Sequence, residues 1–461
     1  MLKLRLKLKK SKPYKRQKNK MFETIVALAT APLKSALSIV RLSGDDCFFV
    51  VSKFFSKNLV ELTSNKIIHG QIIDEGETVD DVVLLAYKGP RSFTGEDSVE
   101  IICHGSPLIF NRIISVAVKN GARLATGGEY SSRSFLHGKL NLMQAESIND
   151  LINAETEESK RMSMLALEGK TSKLIEPLKK EVADLLSLIE VNIDYPEYTD
   201  IEEANFEKII DFCKDFEEKL ANLIQNGRKG NIIKDGINVA IVGKPNVGKS
   251  SLLNALLNEE KAIVTDIKGT TRDVVEGKIN LKGVMLNLFD TAGIRESDDK
   301  IEAIGIKKSL DKLNSADIVL CLFDSDNFDD EDKEILDLVK DKNTIFVYNK
   351  ADLIEKQDEN KLYISALNKD ISKLLDEIYR RLGLKEDNYT TPSIANAREL
   401  GILENVLENI KKIKFDAEND VPIDIINSEI RDVYLKILSL TGEDYDFDIA
   451  KEIFSRFCVG K

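Results

Sequence analysis

Gly243-Lys244-Pro245-Asn246-Val247-Gly248-Lys249-Ser250 decides how this chain is read. The octet follows an apolar run, Val239 to Val242, and opens onto Leu252, Leu253, Ala255 and Leu256, the pattern of strand, loop and helix. Two glycines let the backbone wrap a phosphate, with amide N–H groups converging at a helix N-terminus. Lys249 supplies a cation for the outer phosphates and Ser250 a hydroxyl ligand for Mg²⁺. Asn246, Val247, Gly248, Lys249, Ser250 and Ser251 are therefore candidate nucleotide contacts. An ordinary glycine-rich turn would match only part of this string and context.

Residues 235–383, around this octet, alternate strands and helices, as a doubly wound sheet requires. Strands are expected at Asn238–Val242, Leu286–Phe289, Ile318–Phe323, Ile345–Tyr348 and Leu362–Ile364. Asp290-Thr291-Ala292-Gly293 ends the second of these. An Asp there reaches Mg²⁺ through water, and Gly293 can offer its N–H to a γ-phosphate. Asn349-Lys350-Ala351-Asp352 ends another strand, at the edge where open sheets bind ligands. The Asp352 carboxylate accepts two hydrogen bonds, matching guanine's N1–H and 2-amino group, and adenine has no such donor pair. Ser365, Ala366 and Leu367 suit a loop closing over the base.

Gly269-Thr270-Thr271-Arg272-Asp273 lies between the phosphate loop and Asp290. Thr271 is a candidate second hydroxyl on Mg²⁺ in a switch segment, although Thr-Thr could simply begin a strand. Ras-type enzymes orient water with a Gln just after Asp-x-x-Gly; here that place is Ile294. A polar group must come from elsewhere, and Glu296, Asp298, Asp299 and Glu302 lie just downstream. Asn246 can hold a monovalent cation near the β–γ bridge.

The flanking sequence divides differently. Residues 21–139 read as a compact α+β domain, with strands such as Leu37–Leu42 and Val99–Cys103 and a helix from Pro107 to Lys119. From Leu142 the apolar spacing turns helical, with stripes through Leu174, Leu178, Val182, Leu185 and Ile189. A third helix is expected over Phe206–Asn226, with Gly227 and Gly230 as a hinge. The helical signature returns at Leu400, Leu403, Leu407 and Ile410 and again at Ile426, Ile430, Val433 and Ile437. An all-helical domain, 140–234 and 384–461, interrupted by the insert, accounts for both halves.

The 461 residues allow two to four domains. No apolar run approaches a membrane span. The five Cys show no paired framework, as in a cytosolic protein. Residues 1–20 carry ten Lys or Arg and no acid; removing them from the net −12 leaves about −22 on the remainder. That tail reads as disordered, or as an extension upstream of a start at Met21; contact with RNA or anionic lipid is the competing reading.

Together with Ser92-Phe-Thr-Gly-Glu-Asp97, the run Arg133 to Leu140, and Phe457-Cys-Val-Gly-Lys461, these motifs resemble the MnmE (also called TrmE) family of bacterial tRNA-modification GTPases. The resemblance runs from about Thr24 to Lys461. It implies an N-terminal α+β folate-binding domain, a split all-helical domain and an inserted P-loop G domain with a doubly wound sheet. It implies a homodimer through the N-terminal domains, with G domains pairing when GTP and K⁺ are bound. Asn246, Thr265, Ile267 and Thr270 would surround K⁺, within a loop, Thr265-Asp266-Ile267-Lys268-Gly269-Thr270-Thr271, that covers the nucleotide. Ser250 and Thr271 would hold Mg²⁺, and Glu302 would orient the attacking water. The partner would be MnmG (GidA), an FAD protein that uses NADH. Together they would add an aminomethyl or carboxymethylaminomethyl group to carbon 5 of the wobble uridine of certain tRNAs. The one-carbon unit would come from a 5-formyl- or 5,10-methylene-tetrahydrofolate derivative.

Arg41, Glu100, Lys139 and Lys461 match the family's folate contacts; alternatively Arg41 and Glu100 simply pair with each other or with neighbours. Cys458 matches the cysteine required for modification; as a residue it equally reads as a small buried hydrophobe. Leu33-Lys34-Ser35, Gly127 and His104-Gly105-Ser106 depart from the family pattern, all in the folate domain. A ribosome-assembly GTPase acting as an RNA-binding switch is the alternative from another class. It would need an RNA module such as a KH fold, and the helical end carries no such signature. A membrane-remodelling GTPase would need a large amphipathic membrane helix, and none is evident.

Overall fold

The computed structural model describes residues 23–194, 205–258, 277–290, 312–325, 329–354, 356–444, 453–455, 457, 459 and 460. The chain forms two compact units, residues 1–145 with 445–461, and residues 146–444.

In the first unit, β1 (Ile25–Leu28), β2 (Leu37–Ser43), β3 (Lys66–Asp74), β4 (Glu77–Tyr87), β5 (Ser98–His104) and β6 (Arg123–Leu124) form one sheet in the order β3-β4-β5-β2-β1-β6. All pairs are antiparallel except β1 with β6. Alternate residues of the strands face inward, as the two-residue repeat dictates, so Val40, Leu42, Val82, Leu84, Val99 and Ile101 share one core. Helices α1 (Cys47–Ser52) and α2 (Pro107–Lys119) cover that face through Phe48, Val51, Phe110 and Ile113. Pro107 opens α2, where its missing N–H costs nothing. A further helix, α3 (Glu129–Leu136), buries Tyr130, Arg133 and Phe135. Phe454 and Phe457 pack against Phe135, Leu142 and Ala145, so the C-terminal segment belongs to this unit.

The helical region begins with α4 (Leu142–Asn153), α5 (Glu157–Leu167), α6 (Ile175–Asp194) and α7 (Phe206–Asp235). The expected hinge at Gly227 and Gly230 is corrected here: α7 continues through both glycines to Asp235. They lack side chains because another segment lies against them. A Cβ at Gly227 would collide with the Ile394 carbonyl, and one at Gly230 would meet Met162 Cε at 2.8 Å and Ala395 Cβ at 3.1 Å. The helix stops instead at Gly236, whose φ of +77° ends the α conformation.

The insert contains β7 (Ile237–Val242), α8 (Lys249–Leu257), β8 (Gly277–Leu281), β9 (Val284–Asp290), β10 (Ile318–Asp324), α9 (Asp330–Val339), β11 (Thr344–Asn349), β12 (Leu362–Tyr363) and α10 (Ser372–Leu382). The sheet order is β12-β11-β10-β7-β9-β8, parallel except for the β8–β9 hairpin. That hairpin turns through Lys282 (φ +49°) and Gly283 (φ +92°), a two-residue connection that matches strand twist. Central β10 is buried along Ile318–Phe323, the continuous apolar run of a strand covered on both faces. The chain then returns to the helical region as α11 (Ala397–Glu418) and α12 (Ile423–Thr441), whose apolar stripes pack with α7 and α6.

Candidate nucleotide site

The phosphate loop hangs between β7 and α8 in a shape that few residue types permit. Gly243 sits at φ +156°, and a Cβ there would lie 2.6 Å from the Leu322 carbonyl oxygen of β10. Asn246 and Gly248 take φ of +61° and +98°, the left-handed region that Asn tolerates and Gly favours. Val247, between them, is 1% exposed and anchors the loop in the core. Gly248 is the N-cap of α8 and no side chain caps that end. The first N–H groups of α8, from Lys249, Ser250 and Ser251, lie at the positive end of the helix, beside the Lys249 ammonium group. Lys249 Nζ donates to the carbonyls of Gly243 at 2.8 Å and Lys244 at 3.0 Å, which holds the cation over the loop. An uncapped helix end with a cation folded over it fits a phosphate and its Mg²⁺, with exposed Ser250 as the hydroxyl ligand. Asp290 ends β9 in register with Ile241, one residue from the last position of β7.

Asn349, at the end of β11, ties this loop to the Ser365–Ala366 segment. Its Nδ2 donates to the Val247 carbonyl at 2.9 Å, and its Oδ1 accepts from the Ala366 N–H at 3.0 Å. It is 3% exposed. A Cβ on Gly248 would strike Asn349 Nδ2, so the buried amide requires that glycine. Lys350 takes φ of +64°, and its ammonium donates to Asp324 Oδ2 at 2.6 Å. The Ser325 N–H donates to the Asn349 carbonyl at 3.0 Å, and its hydroxyl bonds the same oxygen. Asp352 is exposed, and its Oδ1 accepts from the Ser365 hydroxyl at 2.5 Å, which fixes the carboxylate plane. Ala351 lies in the turn before it, and Leu367 is 79% exposed.

The structure thus brings together Asn246, Val247, Gly248, Lys249, Ser250, Ser251, Asn349, Lys350, Ala351, Asp352, Ser365 and Ala366 along the carboxyl ends of β7, β10 and β11. Thr265, Asp266, Ile267, Lys268, Gly269, Thr270, Thr271, Thr291, Ala292, Gly293, Glu302, Cys458 and Lys461 lie outside the described residues. Sequence reasoning missed Asp324 and Ser325, which hold the Asn349-Lys350 backbone and side chain. Their signal was an acid and a hydroxyl, Asp324-Ser325, closing an apolar strand that needs neither.

In the first unit, Arg41 and Glu100 face each other across β2 and β5. Arg41 donates to Glu100 Oε1 from Nε at 2.9 Å and from Nη2 at 2.7 Å. Its Nη1 donates to the Gly460 carbonyl at 3.2 Å. The guanidinium lies 5.6 Å from the Tyr130 ring centroid and 5.9 Å from that of Phe93. The simple pairing of these two residues is therefore present, and flat aromatic faces surround it. Lys139 is exposed and donates instead to the Pro90 carbonyl at 2.9 Å. Much of the Ser92–Asp97 motif is scaffold: Glu96 is buried, accepting from Arg133 Nη1 at 3.0 Å and from the Ser43 hydroxyl at 2.8 Å.

A model of the "MnmE helical domain" matches residues 142–458, and one of the "GTP-binding protein TrmE N-terminus" matches 24–139. The tRNA modification GTPase MnmE of Streptococcus sanguinis (strain SK36) is 40% identical over 454 residues, covering 95% of this chain and 99% of that protein. The chain belongs to the MnmE family of tRNA modification GTPases. Another member, from Lactococcus lactis subsp. lactis (strain IL1403), is 40% identical over 451 residues, covering 95% of this chain and 99% of that one. Among solved structures, the G domain of the T. maritima FeoB iron transporter is 27% identical, covering 32% of this chain and 99% of that chain, with a TM-score of 0.25. Among the described residues no helix is long and apolar enough to cross a membrane.

Proposed function

We propose that this chain binds and hydrolyses GTP in a K⁺-dependent reaction coupled to modification of the wobble uridine of tRNA. The observation that carries the guanine reading is the Asp352 carboxylate, aligned by Ser365 and joined through Asn349 to the phosphate loop. A base with two adjacent donors pairs with that carboxylate; one with an acceptor at N1 does not. Lys249 leaves the Gly243 and Lys244 carbonyls for the outer phosphates. Ser250 and Thr271 would hold Mg²⁺, whose charge would offset that of the β- and γ-phosphate oxygens. Glu302 orients the attacking water, the task that Ile294 cannot perform. Asn246, Thr265, Ile267 and Thr270 would hold K⁺, whose charge would replace that of an arginine finger; such fingers contribute about 10³–10⁵ in rate.

In the same reading the N-terminal units pair into a homodimer, and G domains meet when GTP is bound. The Arg41–Glu100 pair, flanked by Phe93 and Tyr130, suits a ligand with a flat pterin and a carboxylate, and Lys139 and Lys461 would add cations. The one-carbon unit is then used with MnmG, which carries FAD and takes electrons from NADH. Cys458 takes part in the modification, and the work is done in the cytoplasm.

Nucleoside analysis of tRNA from cells with and without this chain tests the proposal. Loss of the carbon-5 substituent on wobble uridine is expected without it, and unchanged tRNA would overturn the reading. Cells carrying Cys458→Ser should show the same loss while the purified variant keeps GTP turnover; normal tRNA from them would leave Cys458 a packing residue.

A further inference from the structure

Lys244, the second residue of the phosphate loop, has a built receptor for its side chain. Lys244 Nζ donates to Asp329 Oδ2 at 2.7 Å and to Asp332 Oδ2 at 2.9 Å, at the start of α9. Asp332 is 0% exposed, an unusual place for a carboxylate, and charge burial is tolerated only with a partner. Its Oδ1 has no hydrogen-bond partner among the described residues, so Oδ2 takes both the ammonium and the Asp329 N–H, the latter at 3.1 Å. Asp329 caps α9 by accepting from the N–H groups of Glu331 and Asp332. Helix α9 in turn is fixed to the sheet by Val339, which packs with Val242, Val319 and Phe323. The route from α9 to the loop is therefore continuous. It ends on the residue whose own carbonyl receives Lys249 Nζ at 3.0 Å. Burial acts against the Lys244 charge, but the hydrogen bonds to Asp329 and Asp332 outweigh it and hold its pKa above the usual lysine value.

We infer that Lys244, clamped by Asp329 and Asp332, is a positioning residue that presets the phosphate loop for nucleotide. It does so by fixing the Gly243–Lys244 backbone against which the later amides and Lys249 are arranged. The inference rests on the guanine-nucleotide reading of the loop. The phosphates common to GDP and GTP occupy the preset backbone, so losing the clamp weakens both ligands equally.

Titration of the full chain with fluorescent GDP and a non-hydrolysable GTP analogue, with thermal unfolding alongside, tests this. Lys244→Met is expected to raise both dissociation constants about tenfold, the scale of one charge-assisted hydrogen bond. Lys244→Arg should restore affinity. Because Lys244→Met strands the Asp332 charge, the Lys244→Met/Asp332→Asn double variant separates folding from positioning. It should regain thermal stability while affinity stays low. Affinity that returns with stability, wild-type affinity in Lys244→Met, or a selective loss of GTP over GDP would each overturn the inference. A wild-type chain that binds neither nucleotide would overturn the nucleotide reading itself.

Discussion

In the proposed nucleotide site, Asp352 would select the base, while Asn349 assembles the loops around it. Replacing Asp352 with Asn exchanges one acceptor for a donor facing guanine's own donors, and two charge-assisted hydrogen bonds are lost. GDP affinity should fall by about 10²-fold or more in a calorimetric titration, with the melting temperature unchanged. Asn349→Ala strands the Val247 carbonyl and the Ala366 N–H in the interior. It should lower stability by about 1–3 kcal/mol and weaken nucleotide binding, seen in denaturant unfolding and titration. Glu399, buried in α11, behaves differently. Burial, then the nearby Glu146 charge, push its carboxyl up to about 8, against Arg398 and Lys234. The folded state thus binds a proton that the unfolded state releases above about 4.5, so this contribution weakens as pH rises from about 4.5 through 8. Glu399→Gln should flatten that slope and be more stable than wild type at pH near 8.5; parallel melting-temperature profiles would refute it.

At the scale of elements, α7 shows how packing overrides local signals. Gly227→Ala should raise helix propensity by about 1 kcal/mol, yet its Cβ meets the Ile394 carbonyl. A net loss of about 1–3 kcal/mol is expected from overpacking, and a higher melting temperature would contradict it. Sequence alone read these glycines as a hinge because no periodicity reveals what lies against a helix. Helices α3 and α5 escaped for a related reason: their buried faces include Ser131, Arg133, Ser134, Ser159 and Ser163, so the apolar stripe is missing. The two-residue β6 is too short to show alternation. By contrast, the phosphate-loop and Asn349–Asp352 candidates were legible because each is one short, contiguous string. Asp324, Asp332 and Glu96 were not, since their partners Lys350, Lys244 and Arg133 lie 26, 88 and 37 residues away.

For the whole molecule, the folding units do not follow chain order. Residues 445–461 join the N-terminal unit, where Phe454 stands between Phe135 and Phe457 at centroid distances of 6.0 and 5.4 Å. Phe454→Ala should cost about 3–5 kcal/mol in that unit and loosen the segment that carries Cys458. Limited proteolysis near the C-terminus reads this directly, and unchanged resistance would contradict it. The central claim is that the inserted domain is a guanine-nucleotide enzyme whose chemistry serves RNA modification. Calorimetric titration of the purified chain with GDP and ADP tests it most directly. The account predicts saturable binding of GDP and none of ADP; no affinity for GDP, or equal affinity for both, would contradict it.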